Sequence, residues 1–194
     1  EMNEKKNLTI EETFALAVEN QKKNNFQIAE NLYKTILKTN PNYAVVNYNL
    51  GIVFKESQEL QKAISCFQKA IDIQPNYAQA HNNLGIVFKE LQELQKAISC
   101  YEKATQINPD YADAHYNLGI VFNELKDFQN SINCYEKTIQ IDSNHADAHN
   151  NLGMVYYKLG EFQNSINCYE KAIQIDANNV HAYNNLGNSL IGLE

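Results

Sequence analysis

The apolar residues of this chain fall into two helical stripes per 34-residue period. Between Ala146 and Leu159, Ala148, Leu152, Val155 and Tyr156 stand at i, i+4, i+7 and i+8, one face of an α-helix. Gly160 follows, a residue that tolerates the left-handed backbone ending a helix. From Phe162 to Ile175 a second stripe is formed by Phe162, Ile166, Tyr169, Ala172 and Ile173. The turn Asp176-Ala177-Asn178-Asn179 then leads into the next period. Each period predicts two antiparallel helices of about four turns joined by a tight loop. Neither helix can bury its stripe alone, so neighbouring units must stack.

The triplet Asn83-Leu84-Gly85 marks the register. It returns as Asn49-Leu50-Gly51, Asn117-Leu118-Gly119, Asn151-Leu152-Gly153 and Asn185-Leu186-Gly187, each 34 residues from the last. A fixed period of that length is the signature of a repeat architecture. Five full periods fit, 10–43, 44–77, 78–111, 112–145 and 146–179, after a tail over 1–9 and before a single helix over 180–194. The first period diverges most, with Leu16-Ala17 for Leu-Gly and Asn20 for an aromatic, as expected of a capping unit.

Composition narrows the function classes. With 44% hydrophobic and 20% charged residues the chain is globular rather than disordered. Its net charge is −7, and all sixteen basic residues are Lys. Arg is the usual bidentate partner of phosphate and of guanine edges. Its absence, with the acidic balance, argues against nucleic acid and against anionic membrane surfaces. No apolar run approaches the roughly 18 residues of a spanning helix. The segment Glu1 to Leu8 lacks the apolar core of a signal peptide. Glu1 before Met2, and the closing Leu193-Glu194, have the look of cloning remnants, so a fragment of a longer or tagged protein is expected.

Candidate chemistry is sparse. Cys66, Cys100, Cys134 and Cys168 share one repeat place. A disulfide needs Cα atoms within about 7 Å, whereas packed helices sit roughly 8–10 Å apart. No C-x-x-C pair supports zinc. The expected state is four half-buried thiols in a reducing, cytoplasmic compartment. His81, His115 and His149 form another row, but stacked equivalent helices do not bring ligands to one point, so they read as packing residues with a minor part in pH sensitivity. His145 and His181 receive no role. No phosphate loop, G-x-S-x-G, H-E-x-x-H or Cys-His arrangement occurs. No catalytic site and no cofactor are expected.

The repeats resemble the tetratricopeptide repeat over residues 10–194. In the first helices stand Leu50-Gly51, Leu84-Gly85, Leu118-Gly119 and Leu152-Gly153, with Phe54, Phe88, Phe122 and Tyr156 three residues on. In the second helices, a small residue precedes an aromatic: Ala63 and Phe67, Ala97 and Tyr101, Ser131 and Tyr135, Ser165 and Tyr169. Pro41, Pro75 and Pro109 close units, while Ser143 and Ala177 depart from the pattern. The family's early Trp is replaced by Asn47, His81, His115, His149 and Tyr183. The resemblance implies an all-α, right-handed α-solenoid whose first helices line a concave groove. It also implies a non-catalytic protein-interaction scaffold holding an extended peptide.

In such a groove the row Asn49, Asn83, Asn117, Asn151 and Asn185 would form a ladder of amides, each both donor and acceptor. The row resembles the asparagine ladder in the repeat region of O-GlcNAc transferase. The competing reading is that these amides cap backbone or bridge neighbouring units. One place earlier come Tyr48, Asn82, Tyr116, Asn150 and Asn184; further along come Lys55, Lys89, Asn123 and Tyr157, then Glu56, Glu90, Glu124 and Lys158, with Asp113 and Asp147 near one mouth. The carboxylate clamp of chaperone-tail binders is not expected, because its Lys and Asn places hold Tyr48 and Ile52, or Tyr116 and Ile120, and Arg is absent. The last helix keeps Tyr183, Leu186, Leu190 and Ile191 where a solubilising end should be polar, so either a second helix and further repeats are cut away or this end stacks on another molecule, and self-association through it is the expectation. Two alternatives to peptide binding stand: the substrate-docking arm of a larger glycosyltransferase or sulfotransferase, and a self-assembling structural rod.

Overall fold

A computed structural model describes residues 8–193. The reading of residues 1–7 as part of a tail, and of Glu1, Met2 and Glu194 as remnants, lies outside the described residues. Eleven α-helices and no strand occur among those described. The first helices of successive units are α1 (Ile10–Lys22), α3 (Ala44–Glu56), α5 (Ala78–Glu90), α7 (Ala112–Glu124), α9 (Ala146–Lys158) and α11 (Val180–Leu193). Their partners are α2 (Phe26–Thr39), α4 (Leu60–Ile73), α6 (Leu94–Ile107), α8 (Phe128–Ile141) and α10 (Phe162–Ile175).

The chain divides into two compact units, one ending at Leu91 and the other starting at Gln92. In the first, α1 packs on α2, α2 on α3, α3 on α4 and α4 on α5. In the second, α6 to α11 pack in the same sequential way. Within each unit successive first helices also touch, α1 with α3, α3 with α5, α7 with α9 and α9 with α11. Successive second helices do not, among the described residues. Each unit therefore curves toward its first helices, which form its inner side.

The signature residues do the packing. Phe67, Tyr135 and Tyr169 are almost fully buried, each with its ring over the glycine of its own unit's first helix. A Cβ built on Gly51, Gly119 or Gly153 would lie 2.7, 2.8 or 2.7 Å from that ring. In the second unit this ring layer continues into Ile132, Leu152 and Val155, with Tyr116, Ile120, Phe128 and Tyr156 packed against them. Aromatic rings bury more area per residue than aliphatic side chains, so they carry much of the stability.

The loop inside each hairpin demands a left-handed residue. Gly160 meets it with φ +76°, but Asn24, Gln58, Gln92 and Lys126 hold φ between 59° and 62° at the same repeat place. A side chain there costs roughly 1 kcal/mol. Lys126→Gly is therefore expected to raise stability by about 0.5–1 kcal/mol in urea titrations, and Gly160→Ala to lower it by a similar amount.

Candidate functional site

Each asparagine of the row lies half-buried on a first helix, and Asn49, Asn83, Asn151 and Asn185 have Nδ2 held by a bond within the protein. Asn49 Nδ2 donates to the Val45 carbonyl of its own helix at 2.9 Å. Asn83 Nδ2 donates to the Gln79 carbonyl at 3.0 Å and to Tyr48 Oη of the preceding unit at 3.2 Å. Asn151 Nδ2 donates to Tyr116 Oη at 3.0 Å, and Asn185 Nδ2 to Asn150 Oδ1 at 3.1 Å. These last bridges, with that of Asn83, span 35 residues, one period plus one.

In the second unit the bonds join into a relay. Asn185 donates to Asn150, Asn150 Nδ2 donates to Asn151 Oδ1 at 3.3 Å, and Asn151 donates to Tyr116. Three consecutive first helices, α7, α9 and α11, are tied by it. Asn82 and Asn150, placed among the peptide-facing residues by sequence, are only 4% and 8% exposed. Asn150 thus serves the relay rather than an open surface.

Tyr48 and Tyr116 are half-buried and held by tilted contacts with neighbouring rings. The Tyr48 ring lies 4.9 Å from Tyr77 and 5.9 Å from Phe67, centroid to centroid. The Tyr116 ring lies 4.7 Å from the His145 ring and 5.9 Å from Tyr135. Burial pushes both phenols above the ordinary tyrosine value; Asp147 adds to this at Tyr116, while the asparagine donors pull the other way. Both phenols therefore keep an O–H to donate at neutral pH.

The outer places differ between units. Lys55 is half-buried beside Glu56 at 3.1 Å. Lys89, half-buried, lies one period on. Tyr157 is 40% exposed, with its ring edge-on to Phe162. Lys158 Nζ donates to Asn123 Oδ1 at 2.8 Å and sits over the Phe128 ring. Tyr157, Lys158 and Asn185 share one hollow with Met154, Tyr169 and Asn188. Met154 and Asn188 escaped the sequence reading; the available signal was their place three residues after the row.

The histidine row has a more specific job than packing. His81, His115 and His149 meet, through Nε2, the carbonyls of Pro75, Pro109 and Ser143 at 3.0, 2.9 and 3.2 Å. Asn47 Nδ2 reaches the Pro41 carbonyl at 3.4 Å from the same repeat place. A carbonyl only accepts, so Nε2 carries the proton. His145, which had no role by sequence, accepts from the Ala148 N–H through Nδ1 at 3.1 Å and starts α9.

Burial holds the His149 imidazole below the ordinary histidine value, with Lys171 and His145 adding to this and the Ser143 bond opposing it. The unfolded chain then takes up that proton first as pH falls, so the fold loses stability from about pH 6.5 downward. His149→Asn, which copies Asn47, is expected to flatten the fall in melting temperature between pH 7 and pH 5.

The cysteines are free thiols. Burial pushes Cys66, Cys100 and Cys168 up to about 11 and Cys134 up to about 12. They are thiols rather than thiolates at neutral pH, unsuited to nucleophilic attack. No group of three or more His, Cys, Asp or Glu among the described residues could hold a metal. No helix there is long and apolar enough to cross a membrane.

Family models named TPR repeat match residues 53–92, 87–126 and 121–160, and a model named tetratricopeptide repeat matches 146–179. The chain belongs to the tetratricopeptide-repeat family. Comparison with curated protein sequences finds no match. Among solved structures, a MamA crystal structure is similar at 28% identity and TM-score 0.77, over 83% of this chain and 94% of that one. YrrB, described as a tetratricopeptide-repeat protein with an unusual peptide-binding site, is similar at 20% identity and TM-score 0.74, over 91% of each chain. PilF of Pseudomonas aeruginosa matches at 18% identity and TM-score 0.82, over 95% of this chain and 90% of that one. The last two likenesses concern the fold alone. Tetratricopeptide-repeat proteins generally bind proteins or peptides without catalysing a reaction.

Proposed function

We propose that this chain is a non-catalytic scaffold that holds an extended polypeptide against its first helices. The observation that carries the reading is the fixed amide row. With Nδ2 held by the protein, Asn49 and Asn83 have Oδ1 to accept from a ligand N–H, and Tyr48 and Tyr116 have an O–H to donate to a ligand carbonyl. Alternating acceptors and donors at repeat spacing suit the main chain of an extended peptide. In the first unit Lys55 and Lys89 would meet its side chains; in the second unit Tyr157 would do so, beside Asn117 and Asn185. A scaffold of this fold with a peptide-binding site has a precedent in YrrB.

Asn49→Ala is the clean test, because that amide bonds only its own helix and alanine is the better helix former. Peptides selected from a random-dodecamer display library on the wild-type chain should bind Asn49→Ala more weakly, by about 3- to 10-fold. The Asn83→Ala, Asn117→Ala, Asn151→Ala triple variant should lose them altogether. It should also be less stable by roughly 0.5–1.5 kcal/mol per bridge lost, since Asn83 and Asn151 tie neighbouring units. Undiminished binding to both variants would refute the ladder.

A second reading, self-association through α11, draws support from four exposed apolar residues there, Val180, Tyr183, Leu190 and Ile191. Leu186, grouped with them by sequence, is half-buried. An unchanged solution mass after Leu190→Lys with Ile191→Lys would count against it.

A further inference from the structure

The hollow shared by Met154, Tyr157, Lys158, Tyr169, Asn185 and Asn188 lies wholly within the second unit and measures about 200 Å³. Its walls come from α9, α10 and α11. Asn185 and Asn188 stand three residues apart on α11, on the side that meets α9, where Asn185 bonds Asn150. The hollow therefore opens beside the amide row. In Gly51, Gly119 and Gly153 the glycine place faces the second helix of the same unit. Whatever packs at Gly187 thus leaves these three walls as they are.

The size selects a side chain rather than a whole small molecule, whose pockets run to about 300–1,000 Å³. The lining is mostly rings and a thioether. Tyr169 is almost fully buried and fixed over Gly153. Tyr157 is exposed, and Phe162 holds its ring edge-on at 5.6 Å. Rings pair favourably with rings, and the Met154 sulfur with ring edges.

Charge has little place there. No carboxylate lines the hollow, so a Lys or Arg of the ligand would find no counter-ion. The Lys158 ammonium is already drawn to Asn123 Oδ1 at 2.8 Å and to the Phe128 ring. A ligand carboxylate would have to break those contacts. One polar demand remains. Asn185 Nδ2 is committed to Asn150, which leaves Oδ1 as an acceptor in the lining. A ring that carries an N–H or O–H at its edge meets both demands; an aliphatic side chain meets neither the rings nor the acceptor.

We propose that this hollow anchors one aromatic side chain of the bound polypeptide, a Trp or Tyr whose N–H or O–H donates to Asn185 Oδ1. This rests on the reading of the chain as a peptide-holding scaffold and adds the side chain it selects. The chain contains no Trp, so tryptophan fluorescence reports on an added probe alone. The probe is acetyl-Gly-Ser-Trp-Ser-Gly-amide, titrated with the intact chain from micromolar to millimolar. Its emission should move to shorter wavelength and saturate. The analogue with Tyr in place of Trp should compete about as well, and the analogue with Leu about 3- to 10-fold less well. Asn188→Phe, which sets a ring of the chain's own in the hollow, and Tyr157→Ala, which removes a wall, should each weaken the probe by about 3- to 10-fold. Both positions are exposed, so the melting temperature should change little. Equal competition by the Leu analogue overturns the choice of a ring. Binding that neither variant weakens overturns the hollow, and so does the absence of a saturable shift. None of these results touches the amide row, which stands or falls on Asn49→Ala in the first unit.

Discussion

Tyr135→Ala should destabilise the protein by about 3–5 kcal/mol, read from urea unfolding followed by circular dichroism. The ring is fully buried. It covers Gly119, lies 5.9 Å from the Tyr116 ring and packs with Ile132, Leu152 and Val155. Alanine would forfeit the buried area and leave a cavity between two helical hairpins, which backbone shifts close only in part. Stability in such arrays depends on contacts between neighbours, so the loss reaches beyond its own unit. Tyr135→Phe should cost little by comparison, because the chain itself places Phe67 two periods earlier in an equivalent contact. A loss below about 1 kcal/mol for Tyr135→Ala would mean that the ring layer is not what holds the hairpins together.

Gly153→Ala and Gly187→Ala should shift stability in opposite directions, although both change the same Leu-Gly motif. At Gly153 the new Cβ would meet Tyr169 Cε1 at 2.7 Å, Cδ1 at 2.9 Å and Cζ at 3.0 Å. Tyr169 is almost fully buried and cannot swing away, so helix α10 must move outward, a cost of about 1–3 kcal/mol. At Gly187 nothing lies within 4 Å. There the change only removes a poor helix former from α11, for a gain of up to about 1 kcal/mol. Both are read as shifts in urea midpoint at low micromolar protein. Equal shifts of one sign would contradict the packing difference between the two glycines.

These paired substitutions show what a repeat pattern can and cannot convey. The Leu-Gly motif announces a close contact in every period, yet only the neighbouring helix decides whether a ring fills it. The histidine row shows the same limit. Spacing placed His81, His115 and His149 in one row, but their partners are carbonyls in the turn six residues earlier. The left-handed turn was legible at Gly160 alone, since Asn24, Gln58, Gln92 and Lys126 adopt it without glycine.

The amino-acid sequence by itself determined the helices and their pairing into stacked hairpins, because apolar periodicity is local and each stripe is too apolar to remain in water. It also placed the asparagines at one position of each repeat, since one period returns every residue to the same helical face. Tertiary structure alone decided where those amides spend their donors. Asn83 and Asn151 reach a phenol, and Asn185 an amide, on the preceding first helix, and that bond depends on the distance between adjacent helices rather than on the order of residues in either. The same packing distance buried Asn82 and Asn150 while leaving the Tyr183–Ile191 stripe of α11 in solvent.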